Sequence, residues 1–530
     1  MRHTRMSGVR SRSGPRQQAR RSRAVCAAVL ACACLAACAG RGAAQQAGSN
    51  SHETLTLVTN VAPLGLNPAT VANGPQQWVV DLAYLPLVDV NKNGQLVPGI
   101  AKSWTVGAGN TSINFTLDSK ARFSDGTAVT ATAVANSINY FSKTATGPSS
   151  QLFKAFKATA ASGGHVIVTS SSPNPDLPLA FTPDFLGGDI ISPAGLANPK
   201  KLQMDTAGAG PYMLDPSETT INSTYTYVPN PHYGEGKALY KKVIVKVITS
   251  QDSALQALKS GQVNVMMGAP QTVSEAKAAG LTVAYGVQAW DGLLLADHYG
   301  KVAPALKDIR VREALNYAIN RASLTKAVVG QYGEVDEQPN SSGYQGYEPS
   351  LNSTYTYNVA KAKSLLRAAG YPNGFTMNVA FVGTDPIETE TLEAMAAQLA
   401  NIGVKLQLQA DNTSEAFVKD IYSDKYSAIG LSFGGQPLFT LLPLFYEPGS
   451  PMNPFKVSYP SIVSAYQAYA SAPADDVSTE AAAVANQIMS EVPAVSVLQS
   501  PQFIYASPWV KNVGIYAGGL TTNPRLWTTS

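Results

Sequence analysis

The stretch Lys307–Arg321, K-D-I-R-V-R-E-A-L-N-Y-A-I-N-R, decides how the rest of the chain is interpreted. Its apolar residues recur at helical spacing and predict a single buried stripe, formed by Val311, Ala314, Leu315, Ala318 and Ile319. Asp308 is placed to cap the first turn, where free N–H groups and the positive end of the helix dipole favour a carboxylate. The polar residues would then lie on the other faces of a surface helix, namely Arg310, Arg312, Glu313, Asn316, Asn320 and Arg321.

The N-terminus predicts export and lipid attachment. Eight arginines within the first 23 residues precede Ala24–Ala37, a small and apolar run too short for a permanent membrane span. The run ends in L-A-A-C at Cys38, which resembles a bacterial lipobox and predicts a lipidated cysteine after removal of residues 1–37. An ordinary signal peptide or an uncleaved anchor is the alternative. The pair Arg20-Arg21 is compatible with a twin-arginine export signal, although the flanking residues fit such a signal poorly.

Composition excludes several classes of protein. The chain has 39 basic and 35 acidic residues, but eight of the basic ones lie in the leader, so the mature part carries about −4 and offers no basic surface for nucleic acid. All four cysteines also lie in the leader, which leaves neither a disulfide nor a thiol nucleophile. The remainder is too long for one core, so two or three lobes are expected.

Strand and helix patterns alternate along the body and predict an α/β protein. Leu55–Thr59 reads as a strand after a flexible tether over residues 38–54. Further on, Asn358 and Asp385 are predicted to cap helices that end before Gly370 and Gly403, and Gly261 is predicted to close another helix. Strands are predicted at 376–382 and 404–409 on either side of the helix that Asp385 caps.

The opening stretch also resembles a family signature, P-L-x-D-x-R-V-R-x-A-x-x-x-A-I-(D/N)-R, of the family 5 extracytoplasmic solute-binding proteins. The matching residues are Pro304, Leu306, Asp308, Arg310, Val311, Arg312, Ala314, Ala318, Ile319, Asn320 and Arg321. Gly94–Trp104 and Thr206–Tyr212 resemble two further motifs of that family. The resemblance implies a periplasmic-binding-protein-like fold of type II, cluster C, with two main lobes and an extra subdomain around a hinged cleft.

The implied division of the chain is discontinuous. Lobe I would combine residues 55–84, 203–287 and 501–530, lobe II would span 85–202, and lobe III would span 288–500. In such proteins the solute lies between lobes that close by hinge motion.

No catalytic constellation is visible in the sequence. It contains no G-x-S-x-G, Walker, G-x-G-x-x-G or H-E-x-x-H motif, and none of the mature histidines lies at ligand spacing from another: His52, His165, His232 and His298. We therefore expect no enzyme activity, no cofactor and no metal site.

The resemblance implies solute contacts in three places. They are the loop at Val61, Ala62, Pro63 and Leu64, the pair Trp290 and Asp291, and the segment Ser432–Pro437 with Phe433, Gly434 and Gln436; Tyr344 and Tyr347 are lesser candidates. Peptide-binding members often place an acid where Gln436 stands, and a neutral amide cannot neutralise a buried ammonium. Either Asp291 or Glu447 takes that role, or the solute lacks a free amine, as an oligosaccharide or a blocked peptide would.

These features predict a lipoprotein, anchored at the outer face of the cytoplasmic membrane, that passes an oligopeptide or similar polar solute to the permease and ATPase of an ABC importer. We expect it to be a monomer. A sensory receptor on the same fold, or less well supported a secreted hydrolase, are the alternatives.

Overall fold

The computed structural model describes residues 52–71, 75–146, 149–234, 236–515 and 523–529. The predicted leader, the lipidation site at Cys38 and nearly all of the tether lie outside the described residues. The described strands are β1 (Thr54–Thr59), β2 (Val88–Val90), β3 (Leu96–Pro98), β4 (Ala101–Val106), β5 (Ser112–Leu117), β6 (Phe156–Ala161), β7 (His165–Ser170), β8 (Tyr212–Leu214), β9 (Thr224–Pro229), β10 (Lys242–Val247), β11 (Val265–Gly268), β12 (Thr282–Leu294), β13 (Glu334–Val335), β14 (Thr376–Val382), β15 (Lys405–Asp411), β16 (Ala428–Gly434), β17 (Ala494–Ala506), β18 (Val510–Lys511) and β19 (Thr528–Thr529).

The helices connect these strands and confirm the predicted caps. They are α1 (Trp78–Asp81), α2 (Ala131–Thr144), α3 (Ser149–Lys154), α4 (Pro193–Ala197), α5 (Gln251–Lys259), α6 (Val273–Ala278), α7 (Ile309–Tyr317), α8 (Arg321–Val328), α9 (Val359–Ala368), α10 (Pro386–Ala400), α11 (Ser414–Ile421), α12 (Leu438–Phe445), α13 (Pro460–Ser471) and α14 (Val477–Glu491). Asn358 accepts from the Lys361 N–H at the start of α9, and Asp385 accepts from the Ile387 N–H at the start of α10. Gly261 follows α5 with φ +75°, a backbone conformation that favours glycine.

One eleven-stranded mixed sheet runs through the part of the chain that the structure describes. Its order is β15-β14-β16-β12-β17-β11-β1-β10-β9-β8, with β13 added at β17. The pair β14–β15 is parallel, as the strand–helix–strand alternation around α10 predicts, and β1–β10 is parallel as well. In contrast, β12 is antiparallel to both β16 and β17. The α/β class is therefore confirmed.

The strands β12 and β17 join the two halves of this sheet. Each has 13 residues, and they pair with each other from Thr282–Ala506 to Leu294–Ala494. The predicted lobe boundaries at 287/288 and 500/501 fall inside these two strands. The sheet thus crosses from one half to the other without interruption, and the division into lobes stays a prediction.

A separate four-stranded antiparallel sheet, β4-β5-β7-β6, is here called the small sheet. Its buried side chains share one core with β1, β10 and Trp527, near the C-terminus. Two further cores cover the two faces of the half of the long sheet that contains β14, β15 and β16. This half, with the helices packed on it, is here called the distal half.

The prediction of one helix over Lys307–Arg321 is wrong in its extent. The segment forms α7, which ends at Tyr317, and then α8, which begins at Arg321. The cap is confirmed, because Asp308 Oδ1 accepts from the Arg310 N–H at 2.9 Å, and the predicted apolar stripe is fully buried.

The prediction that Arg312, Asn316 and Arg321 lie on the outer faces is also wrong. Their side chains are 5%, 0% and 4% exposed. The reason is that both guanidinium groups bind backbone carbonyls of neighbouring segments. Arg312 donates to Leu306 and Glu491, each at 2.9 Å, so it joins the start of α7 to the end of α14.

Arg321 connects more of the fold than Arg312 does. Its guanidinium donates to the backbone oxygens of Ser496 at 2.8 Å, Asp336 at 3.1 Å and Asn316 at 3.1 Å, and to Asn316 Oδ1 at 2.6 Å. A planar fork of five donors satisfies such a spread of acceptors, whereas a lysine ammonium cannot reach them all.

We predict that Arg321→Lys lowers the free energy of unfolding by about 2–4 kcal/mol, because buried carbonyls lose their donors. Urea unfolding followed by circular dichroism measures the change. Arg310→Lys is the matched control, since Arg310 is exposed and, among the described residues, pairs with Asp308 on the surface. It should leave the free energy of unfolding nearly unchanged. Equal effects of the two substitutions would show that the buried network contributes nothing specific.

Candidate functional site

Several of the predicted solute-binding residues meet where β12, β16 and β17 pair. Trp290 lies opposite Phe433, and Asp291 lies opposite Ser432 in the β12–β16 ladder. On the other side, the β12–β17 ladder shifts register between Val287 and Ala289 and again between Asp291 and Gly292. These bulges enclose the two predicted residues and leave backbone groups that the regular ladder cannot satisfy.

Two neighbouring loops donate hydrogen bonds to the backbone carbonyl that the first bulge leaves unpaired in the ladder. The Gln288 carbonyl accepts from the Gly435 N–H and from Ser341 Oγ, both at 3.0 Å. Asn340 then exchanges two hydrogen bonds with the backbone of Gln436, at 2.9 and 3.1 Å. The structure therefore fixes the loop after β16 against residues 340–344.

Tyr344 lies against this loop. A Cβ atom built on Gly435 would approach the Tyr344 ring to 2.5 Å, so glycine is needed for this close packing. Tyr344 thus belongs to the same cluster as Phe433, Gly434 and Gln436.

The amide of Gln436 is already engaged. Its oxygen accepts from Thr440 Oγ1 at 3.0 Å, and its nitrogen donates to the Gly434 carbonyl at 3.3 Å. The side chain is half-buried. It can present a polar edge to a solute but no charge.

Trp290 and Asp291 point to opposite faces of the sheet, because successive strand residues alternate. Trp290 is fully buried and its ring lies 6.4 Å from that of Phe445. Asp291 is also fully buried, and burial raises the pKa of its carboxyl to about 7, against the opposing effect of the nearby Ser500 and Ser432 hydroxyls. Glu447 is exposed on the surface of the distal half, whereas Asp291 lies opposite Ser432 and so borders the loop cluster.

The loop Val61–Leu64 lies elsewhere, at the end of β1. It runs beside the turn at Gln203, where the Leu66 N–H donates to the Leu202 carbonyl at 3.0 Å. Pro63 is buried, Ala62 is half-buried, and Val61 and Leu64 are 47% and 73% exposed. Leu64 is accordingly the most exposed of the predicted solute-binding residues.

The small sheet and the distal half touch through polar contacts that the sequence did not reveal. The Asn110 amide nitrogen donates to the carbonyls of Ala470 at 3.1 Å and Ala472 at 2.8 Å, at the end of α13. The Tyr469 hydroxyl donates to the Asp176 carboxylate and to Gln345 Oε1. These contacts hold one side of the molecule against the other.

An aromatic pair connects the side of the small sheet to the distal half, and a group of acids lies on the side of the small sheet. The Phe185 ring lies 5.5 Å from that of Phe439, on α12. Burial raises the pKa of the carboxyl groups of Asp81 and Asp189, and the positive charge of Arg525 opposes this rise at both residues. Sequence reasoning missed these acids, although Asp81 in W-V-V-D-L is an isolated charge within an apolar run, a signal of a buried acid.

A small crevice also opens within the distal half. Its lining comprises Gln338, Pro339, Asn340, Gly346, Leu441, Ala485, Ile488 and Met489. Asn340 therefore separates this mostly apolar crevice from the Gln436 loop.

Neither a metal-binding cluster nor a membrane-spanning helix occurs among the described residues. No group of three or more His, Cys, Asp or Glu side chains there is placed to hold a metal ion. Among the same residues, no helix has both the length and the apolar character needed to cross a membrane.

Comparison with known proteins gives consistent matches. Residues 95–449, more than half of the chain, match the family model "Bacterial extracellular solute-binding proteins, family 5 Middle". The chain is 27% identical over 360 residues to the probable D,D-dipeptide-binding periplasmic protein DdpA of Escherichia coli K12, covering 66% of this chain and 68% of that protein. It is 24% identical over 419 residues to heme-binding protein A of Haemophilus influenzae, covering 71% and 74%.

The fold is likewise similar to solved structures. The ABC transporter substrate-binding protein CtaP of Listeria monocytogenes superposes with a TM-score of 0.76 at 18% identity, over 90% of this chain and 99% of that one. The predicted periplasmic-binding-protein-like fold is therefore confirmed.

We predict that Asn110→Asp weakens the contact between the small sheet and α13. Aspartate tolerates the backbone of Asn110, which has φ +56°, but it removes the amide donor and sets a negative charge against carbonyls at a helix C-terminus. The free energy of unfolding should fall by about 1–3 kcal/mol, and amide hydrogen exchange at the end of α13 should accelerate.

Asn222→Asp is the matched control, because Asn222 has φ +65° and an exposed side chain. It should leave stability and exchange in α13 unchanged. If both variants behave alike, the Asn110 contact does not hold the two sides together.

Proposed function

The chain belongs to the bacterial extracellular solute-binding proteins of family 5, and from this premise we propose that it captures an oligopeptide or similar polar solute between its lobes and delivers it to an ABC importer. The observation that carries the proposal is the family match over residues 95–449. Binding a solute and releasing it unchanged requires no catalytic group, so we propose that the protein is not an enzyme.

The contacts between the small sheet and the distal half support a clamp. Asn110 and Asp176 on one side meet the end of α13 on the other, as they would when lobes II and III close. Lobe I, with residues 55–84, 203–287 and 501–530, would hinge against lobe III through β12 and β17. A ladder with two bulges is a suitable place for such bending.

We assign the solute contacts to the cluster of Tyr344, Phe433, Gly434 and Gln436 and to the exposed loop Val61–Leu64. Aromatic rings beside a few polar groups are typical of small-molecule sites. Trp290 and Asp291 would support this cluster from within the sheet, since both are fully buried.

The chemistry of the loop cluster supports a class of solute. The two relatives named above are a probable D,D-dipeptide-binding protein and a heme-binding protein, so the family accommodates different solutes. The neutral Gln436 amide and the half-buried Phe433 suit a polar solute with apolar portions, such as a short peptide.

Family membership also suggests the membrane anchor and the importer subunits with which the protein acts. We propose that the exported protein is held by a lipid on Cys38, acts as a monomer and docks on a permease whose ATPase drives import. We propose no nucleic-acid partner, because the mature part is slightly acidic.

We predict that short peptides raise the melting temperature of the purified protein. A ligand at 100 times its Kd adds about 2.7 kcal/mol to the free energy of unfolding, and differential scanning fluorimetry with peptide and oligosaccharide panels detects it. A saturating screen without any shift contradicts solute capture. Release of product from a peptide or chromogenic ester would contradict the assignment as a non-enzyme.

We also predict that metabolic labelling with palmitate marks the wild-type chain in a bacterial host and that Cys38→Ser abolishes the label. Acyl chains supply about 0.8 kcal/mol of membrane binding per buried CH₂, so the unlabelled variant should leave the membrane fraction. Cys34→Ser, within the leader, is the control and should keep the label. Labelling of the Cys38 variant would refute the anchor site.

A further inference from the structure

Asn340 holds the loop that carries one of the candidate solute contacts, namely the Gln436 loop of residues 434–437. The Asn340 amide nitrogen donates to the Gln436 carbonyl at 3.1 Å, and its amide oxygen accepts from the Gln436 N–H at 2.9 Å. The same oxygen accepts from the Ser341 N–H at 3.0 Å. One side chain thus provides the donor and the acceptor that a residue on a neighbouring strand would offer to Gln436.

The Gln436 loop needs support from outside itself. It begins with Gly434 and Gly435, and glycine loses more conformational freedom on ordering than any other residue. A Cβ atom built on Gly435 would lie 2.6 Å from the Cβ atom of Ser341. A Cβ atom built on Gly434 would instead meet no described atom within 4 Å beyond its chain neighbours. The loop is therefore packed on one side, against residues 340–344, and open on the other, where a solute can approach.

Asn340 itself does not face that open side. It is 3% exposed, and both polar atoms of its side chain have partners within the protein. Gln436 is half-buried instead, and its side-chain amide can present a polar edge to a solute. The place of that edge depends on the backbone of Gln436, which Asn340 fixes at both the N–H and the carbonyl.

From this geometry we propose that Asn340 is a positioning residue for solute binding and that it acts through Gln436. It increases affinity by holding the Gln436 loop in the binding arrangement before a solute arrives, because ordering a loop during binding costs affinity. The inference rests on the proposed function and specifies how one of its solute contacts is set.

The chemistry that position 340 requires is specific. Asparagine supplies a donor and an acceptor on one short side chain, whereas an ionised aspartate of the same shape supplies acceptors only. In Asn340→Asp, a carboxylate oxygen would replace the nitrogen that donates to the Gln436 carbonyl. One hydrogen bond would be lost, and two oxygen atoms would oppose each other.

The test compares the purified wild type with Asn340→Asp by isothermal titration, using trialanine, N-acetyl-trialanine amide and maltotriose as probes. Asn340→Asp should bind each probe that the wild type binds at least fivefold more weakly. In a Gln436→Ala background the same change should weaken binding less than twofold, because the effects of residues that act through one contact do not add. General destabilisation of the protein would lower affinity by the same factor in both backgrounds.

Amide hydrogen exchange tests the positioning without a solute. Asn340→Ala removes both hydrogen bonds to Gln436, so exchange of the Gln436 N–H should accelerate at least tenfold. This second variant also replaces Asn340→Asp in the titrations if that protein does not fold, with the same expected loss of affinity.

Asn358→Asp is the matched control. Asn358 caps α9 by accepting from the Lys361 N–H, and aspartate fills that role equally well because only an acceptor is needed. The control should keep the wild-type affinity for all three probes and the wild-type exchange rate at Gln436.

Three results overturn the inference. Equal losses of affinity in the two backgrounds would show that Asn340 does not act through Gln436. Wild-type affinity of folded Asn340→Asp and Asn340→Ala would leave solute capture intact and remove the positioning role. Unchanged exchange at Gln436 in Asn340→Ala would show that the loop does not depend on Asn340, whether or not a probe binds.

Failure of the proposed function has a different signature. A wild type that binds none of the three probes would contradict solute capture and, with it, the effect of Asn340 on affinity. The exchange rate at Gln436 would then still show whether Asn340 holds the loop.

Discussion

The structure depends on keeping the backbone of β12 and β17 hydrogen-bonded where their ladder is irregular. Both strands are 13 residues long and cross the centre of the long sheet, where water cannot replace a missing partner. Their register shifts twice within a few residues. Each shift leaves backbone carbonyls that other segments must satisfy, and those segments include the candidate solute site.

The backbone carbonyls at the two bulges are satisfied by different kinds of group. At the first bulge the Gln288 carbonyl accepts from Gly435 and Ser341, which belong to the loops at the candidate site. At the second, the Val497 carbonyl accepts from the Asp336 N–H, and Arg321 donates to the carbonyl of Ser496. The arginine of the opening stretch therefore supports the same ladder that positions the loops. A substitution at Arg321 would therefore shift the loops of the candidate site through this ladder, although Arg321 itself does not contact a solute.

Buried aspartates with raised carboxyl pKa are a second feature of the structure. Asp81, Asp184, Asp189 and Asp291 all lie in surroundings that raise their carboxyl pKa. Asp291 lies beneath the loop cluster in the sheet, whereas the other three lie on the side of the small sheet. Asp81, Asp189 and Asp291 are at most 4% exposed, whereas Asp184 is half-buried.

The sequence by itself determined the secondary structure of the body, the α/β class and the family. Asp308, Asn358 and Asp385 cap their helices as predicted, because capping depends on residues a few positions apart. It placed Phe433, Gly434 and Gln436 in the candidate site through the resemblance, and Tyr344 as a lesser candidate, but it did not find the contact of Asn110 with α13. Asn110 and Ala470 are 360 residues apart, and no local pattern records such a pairing. Tertiary structure alone decided that Arg312 and Arg321 are buried, because a guanidinium is tolerated in a core only when distant carbonyls converge on it.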